Sequence, residues 1–118
     1  MRDFRKLEIW KNGISLVKQV YALADKFPKE EKYGLKSQMT RAAVSIPSNI
    51  AEGCSRNSEI EFKRFLEIAL GSLFEVETQL IISQELQLLD GSDIKSVIEL
   101  LNTEAKMINS LISKIKNS

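Results

Sequence analysis

Apolar residues recur along this chain at steps of three and four, and the pattern stops only at a few glycines, prolines and polar turns. In the first segment, about Leu7 to Phe27, Trp10, Ile14, Val17, Tyr21 and Ala24 line up on one helical face. Pro28 restricts the residue before it and closes that segment. The second, about Lys32 to Glu52, carries the stripe Leu35, Met39, Ala42, Ala43, Ile46 and Ile50. Gly53 is its expected stop, because glycine takes the left-handed conformation without strain. The third opens on a capping box, Ser58 with Glu61, and runs to about Leu88, a length of about 45 Å. Its main stripe is Phe62, Leu66, Ala69, Leu73, Val76 and Leu80; a second, Leu70, Phe74 and Ile81, lies beside it. Together they cover roughly half the circumference, more than a one-sided surface helix needs. Asp90-Gly91-Ser92 links to the fourth segment, with Ser92 a candidate cap. There Ile94, Ile98, Leu101, Ala105, Ile108, Ile112 and Ile115 form a heptad seam. Short links make sequential helices antiparallel neighbours. The pattern predicts one all-α domain over residues 1–118, an antiparallel up-down-up-down four-helix bundle.

Composition narrows the function more than the fold. Hydrophobic residues make up 43% and charged residues 28%, the balance of a soluble globular protein. Net charge is +1, whereas a protein living on nucleic acid alone carries a larger positive excess. The single cysteine, Cys54, allows no internal disulfide and reads as a small semi-buried residue in the loop after Gly53. The charged stretch Met1 to Lys6 precedes no apolar run of signal-peptide length, and no stretch reaches the ~18 apolar residues of a membrane span. The expectation is a cytoplasmic protein with no membrane partner.

There is no histidine, which removes the commonest general base and the commonest metal ligand. With one cysteine and no Glu-x-x-His motif, neither a thiolate zinc site nor the usual di-iron bundle is expected. Glu67, Glu75 and Glu77 read as solvated helix-surface carboxylates. The expectation is no enzyme activity, no metal and no cofactor.

One segment departs from plain helix. Pro47 sits inside the second apolar stripe, where it cannot donate to the Ala43 carbonyl and its ring crowds it, so a kink or break is expected. Arg41, Ser45, Asn49 and Glu52 share one face at spacings of four, four and three. They form a candidate polar network, with Glu52 and Asn49 holding Arg41 across the defect.

The stretches LEIWKNGISLVKQVY, FPKEEKYGLKSQMTRAAVSIPSNIAEG and RNSEIEFKRFLEIALGSLFEVETQL carry a family likeness. Over roughly Phe4 to Leu89 the chain resembles the proteins encoded by intervening sequences of bacterial 23S ribosomal RNA genes. That family is similar in architecture to the accessory protein of diversity-generating retroelements, a basic pentameric ring that partners a reverse transcriptase and RNA. The resemblance implies a four-helix bundle, a homopentamer and no enzyme activity, with a protein or RNA partner.

Two cation clusters are the candidate nucleic-acid contacts: Arg2, Arg5 and Lys6 before the first helix, and Arg56, Lys63 and Arg64 around the start of the third. Phe62, Phe65, Trp10 and Tyr21 are all expected on or beside the core, so any RNA binding would run through phosphate contacts. Leu7, Ile9, Leu70, Phe74 and Ile81, with Trp10, exceed what one bundle core readily buries. They are the candidate oligomer interface.

Overall fold

The structure, a computed structural model, describes residues 2–117. Four helices make up the fold: α1 (Glu8–Ala24), α2 (Leu35–Cys54), α3 (Glu59–Glu85) and α4 (Gly91–Lys116). Short 3-10 turns at Phe4–Lys6 and Lys29–Glu31 precede α1 and α2. Each helix packs on its neighbours in sequence, α4 closes back onto α1, and the backbones of α1 and α3, and of α2 and α4, stay apart across the diagonal. That is a square four-helix bundle, longest dimension 46 Å.

Every link has a local cause. The Ser58 side chain accepts from the Glu61 N–H, opening α3. At α4 it is Asp90, not Ser92, that caps: Asp90 accepts from the Asp93 N–H while Asp93 accepts from the Asp90 N–H. Ser92 instead donates to the Asp90 carboxylate at 2.6 Å. Both bonds go to one oxygen, Asp90 Oδ1, which as a carboxylate oxygen has the lone pairs to accept two. Helix α2 begins three residues later than its polarity suggests, where Glu31 accepts from the Leu35 N–H at 3.2 Å.

Gly53 does not stop α2. The helix continues through it to Cys54, and no glycine in the described residues has positive φ. Nor does Pro47 break α2, which runs as one helix from Leu35 to Cys54. Pro47 is buried, and its ring lies where α1 presents Gly13; a Cβ on Gly13 would come within 3.1 Å of the Pro47 Cβ.

The core holds the stripes of α2 and α3: Met39, Ala42, Ala43, Ile46 and Ile50 are buried, with Leu35 half-buried against the core, and all six main-stripe residues of α3 are buried. On α1 the inward face is Ile9, Gly13, Leu16, Val20 and Leu23. The stripe through Trp10, Ile14, Val17 and Tyr21 lies to one side of it: Trp10 and Val17 are half-buried, and Ile14 and Tyr21 are 38% and 45% exposed. Among the described residues the buried polar side chains are Thr40, Gln79, Ser83 and Glu104. Thr40 and Ser83 return their hydroxyls to carbonyls one turn back. Both Glu104 carboxylate oxygens are without a hydrogen-bond partner.

Candidate functional site

The polar face of α2 forms a network, but not the expected one. Asn49 Nδ2 donates to the Ser45 carbonyl and to Ser45 Oγ, each at 2.8 Å. Ser45 Oγ lies 2.8 Å from Ser72 Oγ of α3. Asn49 therefore serves the Ser45 carbonyl and not that of Ala43, the one Pro47 leaves without its helical N–H, and the hydroxyl pair carries the network across to α3. Arg41 is exposed and takes no part, and Glu52 pairs instead with Arg56 at 3.5 Å. The reason is rotation: Ser45 and Asn49 face α3 half-buried, whereas Arg41 and Glu52 point to solvent, where water competes for their charges.

The two cation clusters, distant in sequence, meet at one end of the bundle. The Arg2 N–H donates to the Cys54 carbonyl at 3.3 Å, tying the N-terminus to the end of α2. The Arg2 guanidinium makes two bonds to Glu59, at 2.7 and 2.8 Å, and lies 4.0 Å from the Phe62 ring centre. This pairing raises the Arg2 pKa and lowers that of Glu59. Arg56 stacks 4.9 Å from the Phe65 ring and Arg5 4.4 Å from Phe4. Arg5 also pairs with Asp3 at 3.4 Å. Of the six candidate contacts, Arg2, Arg5 and Arg56 are thus held by acids; Lys6, Lys63 and Arg64 make no ion pair among the described residues. Cys54 is the last residue of α2 rather than a loop residue, is buried, and burial raises its thiol pKa. A thiol held protonated is a packing group, not a nucleophile.

Apolar surface is the third feature. Trp10, Ile14 and Val17 of α1 and Val44, Pro47 and Ala51 of α2 line an open groove of about 300 Å³. Trp10 stands edge-on to Phe4, centroids 5.1 Å apart. The outer side of α3 carries Ile68, Phe74, Ile81 and Ile82, between 41% and 53% exposed. Phe74 and Ile81 thus stay on the surface as expected of an interface. Ile9 does not: it is 5% exposed inside the chain's own core, and Leu7 and Leu70 are half-buried against that core. Ile9 faces inward because the buried stripe of α1 is offset from the one its aromatic residues mark. Tyr33 is 87% exposed, so the aromatic residues are not all committed to the core.

Among the described residues, no group of three or more His, Cys, Asp and Glu could hold a metal ion. Among the described residues no helix is long and apolar enough to cross a membrane.

Bundle, apolar flanks and a cation-rich end define an all-α protein whose distinctive chemistry lies on its surface rather than in a closed pocket. Residues 5–110 match the model of the 23S rRNA-intervening sequence protein family, and the chain belongs to that family. In fold it is similar to a protein with unknown function from the S23 ribosomal protein family of Bacteroides thetaiotaomicron, with a TM-score of 0.82 and 20% identity. That likeness covers 88% of this chain and 97% of the other. No curated protein matches the chain in sequence.

Proposed function

We propose that this protein is a non-enzymatic helical scaffold that assembles with copies of itself and binds a macromolecular partner. The observation that carries this reading is the pair of apolar surfaces outside the core, the α1/α2 groove and the outer side of α3. Contiguous exposed apolar surface is costly in water, and in soluble proteins it marks interfaces. Family membership supports a homopentamer, and the chain's inventory, without histidine, supports a role that needs no catalysis. Light scattering after size exclusion tests the reading: a multiple of the 13.4 kDa chain mass is expected, and a monomer at micromolar concentration sinks it.

A second reading, RNA binding through phosphate contacts, is favoured by one observation: both cation clusters gather at the same bundle end. Repetition of Lys6, Lys63 and Arg64 around an assembly would give a nearly neutral chain several basic patches at once. Filter binding should then fall steeply with salt and show little sequence preference. Because the two clusters share one end, neither serves as the control for the other. Lys29 and Lys32, beside the start of α2, are the control: reversing them should leave binding intact, whereas reversing Lys63 and Arg64 should weaken it. No retention at about 50 mM salt, where such binding is strongest, removes the RNA reading.

A further inference from the structure

The three arginines at the charged end of the bundle are held by acids in two different ways. Arg5 and Arg56 make one contact each, at 3.4 Å with Asp3 and 3.5 Å with Glu52, which leaves most of their donors free. Arg2 is committed: its Nη1 and Nη2 donate to separate oxygens of Glu59, at 2.7 and 2.8 Å. Among the described residues it is the one cation with two bonds to a single carboxylate. A parallel fork of this kind is how a guanidinium grips a carboxylate or a phosphate alike. The Glu59 carboxylate thus occupies the place that a phosphate would take on Arg2.

Arg2 does not depend on Glu59 alone for its position. Its backbone N–H donates to the Cys54 carbonyl at 3.3 Å, and its guanidinium lies 4.0 Å from the Phe62 ring centre. These contacts keep the fork beside the first turn of α3 when the carboxylate lets go. Glu59 is 56% exposed, so dissolved anions reach it, and an ion pair in water is weak enough to exchange. Lys63 follows Glu59 by four residues, one turn on along the same face of α3. It makes no ion pair among the described residues. A phosphate in the place of the Glu59 carboxylate would therefore bind the Arg2 fork and lie one helical turn from a free ammonium.

We infer that Glu59 is an internal competitor for RNA: it occupies Arg2 in the free protein and is displaced when a backbone phosphate settles between Arg2 and Lys63. This rests on the RNA reading above and adds an autoinhibitory contact to it. The Glu59 side chain swings into water, and the guanidinium exchanges one anion for another without leaving the Phe62 ring. Each displacement costs the Arg2–Glu59 pair, so a lone phosphate gains little. RNA that also engages Lys6 and Arg64 offsets that cost through its other contacts.

The test is filter binding of one RNA hairpin to the full chain over a salt series that starts at about 50 mM. Glu59→Gln should bind more tightly than the wild type. Its log–log salt slope should steepen by about 0.7–0.9 for each subunit engaged, the mark of one added phosphate contact. Glu61→Gln is the control for net charge. Glu61 lies on the same first turn, is exposed and makes no ion pair among the described residues, so its loss frees no arginine and should leave the slope unchanged. Arg2→Ala should bind no more tightly than the wild type, and Arg2→Ala with Glu59→Gln should lose the steeper slope. Circular dichroism checks that each variant folds. If Glu59→Gln keeps the wild-type slope, if Glu61→Gln steepens it equally, or if the double variant keeps the gain, Glu59 does not mask Arg2, while RNA binding stands. No retention of RNA by the wild type at about 50 mM salt overturns both.

Discussion

Gly53 of α2 and Phe65 of α3 approach so closely that a Cβ on Gly53 would lie 2.8 Å from the Phe65 Cβ and 3.1 Å from Phe62 Cδ1. The glycine is there for space, not for a turn. Phe62 and Phe65 in turn form the floor on which Arg2 and Arg56 lie, so this contact positions the charged end of the bundle.

Gly53→Ala is therefore expected to destabilise the fold by about 1–3 kcal/mol, the usual cost of overpacking. Alanine's better helix propensity, worth up to about 1 kcal/mol, offsets part of that. Urea melts of the two proteins check the sign. An unchanged or higher midpoint would mean that α2 and α3 separate without cost.

Asn49→Ala removes two donors and leaves the Ser45 carbonyl without the bond Asn49 supplies. A loss of about 1–2 kcal/mol is expected, since each such bond is worth about 1 kcal/mol and the site is half-buried. Arg41→Ala, at the exposed position on the same face, should change stability by no more than about 0.5 kcal/mol. Equal effects of the two substitutions, read by urea melts, would put Arg41 back into the network.

The contrast between these two residues shows what the sequence could and could not reveal. Spacing placed Arg41, Ser45, Asn49 and Glu52 on one face, but the partner that completes the network, Ser72, lies 27 residues beyond Ser45 on another helix. Periodicity within α2 carries no sign of it. The convergence of the Arg2 and Arg56 clusters is hidden for the same reason. On α1, two apolar stripes run side by side, and periodicity does not say which one faces the core. The available signal was Gly13: a glycine in line with Ile9 and Leu16 marks the side where another helix crosses. By contrast, the main stripe of α3 is legible position by position: all six of its residues are buried, while Phe74 and Ile81 of the stripe beside it are exposed.

Gln87 is the single non-glycine residue with positive φ among the described residues, at 61°. It closes α3 in the Schellman manner, with the Leu88 N–H on the Ser83 carbonyl and the Gln87 N–H on that of Gln84. A side chain in this conformation costs about 1–2 kcal/mol, part of which glycine returns as unfolded-state entropy. Gln87→Gly should raise stability by about 0.5–1 kcal/mol. Thermal melts check this, and a lower melting temperature would show that the Gln87 side chain contributes something beyond its backbone geometry.

Glu104 gives the protein a stability that depends on pH in an unusual direction. Its side chain is wholly buried, neither oxygen has a hydrogen-bond partner, and no lysine or arginine is buried among the described residues to balance a charge. Burial pushes its pKa from 4.5 up to about 8, so the folded protein holds it neutral at pH 7 while the unfolded chain ionises it. Below about pH 4.5 the carboxyl is protonated in both states and full stability is present. Between about 4.5 and 8 the unfolded state gives up its proton first, and stability falls by up to about 1.4 kcal/mol per pH unit. Glu59 and Asp93, paired with Arg2 and Lys26, are shifted the other way, and their contribution is lost only on the acid side. The two windows do not overlap, which places the stability maximum near the boundary between them, on the acid side of neutrality. Urea melts from pH 4 to 9 should show this fall for the wild type and a nearly flat profile above pH 5 for Glu104→Gln. Glu104→Met, which removes the orphaned polar group as well, should be more stable than the wild type at pH 8 by about 2–4 kcal/mol. If Glu104→Gln keeps the wild-type slope, some other group carries the titration and the buried carboxyl is ionised with a partner after all.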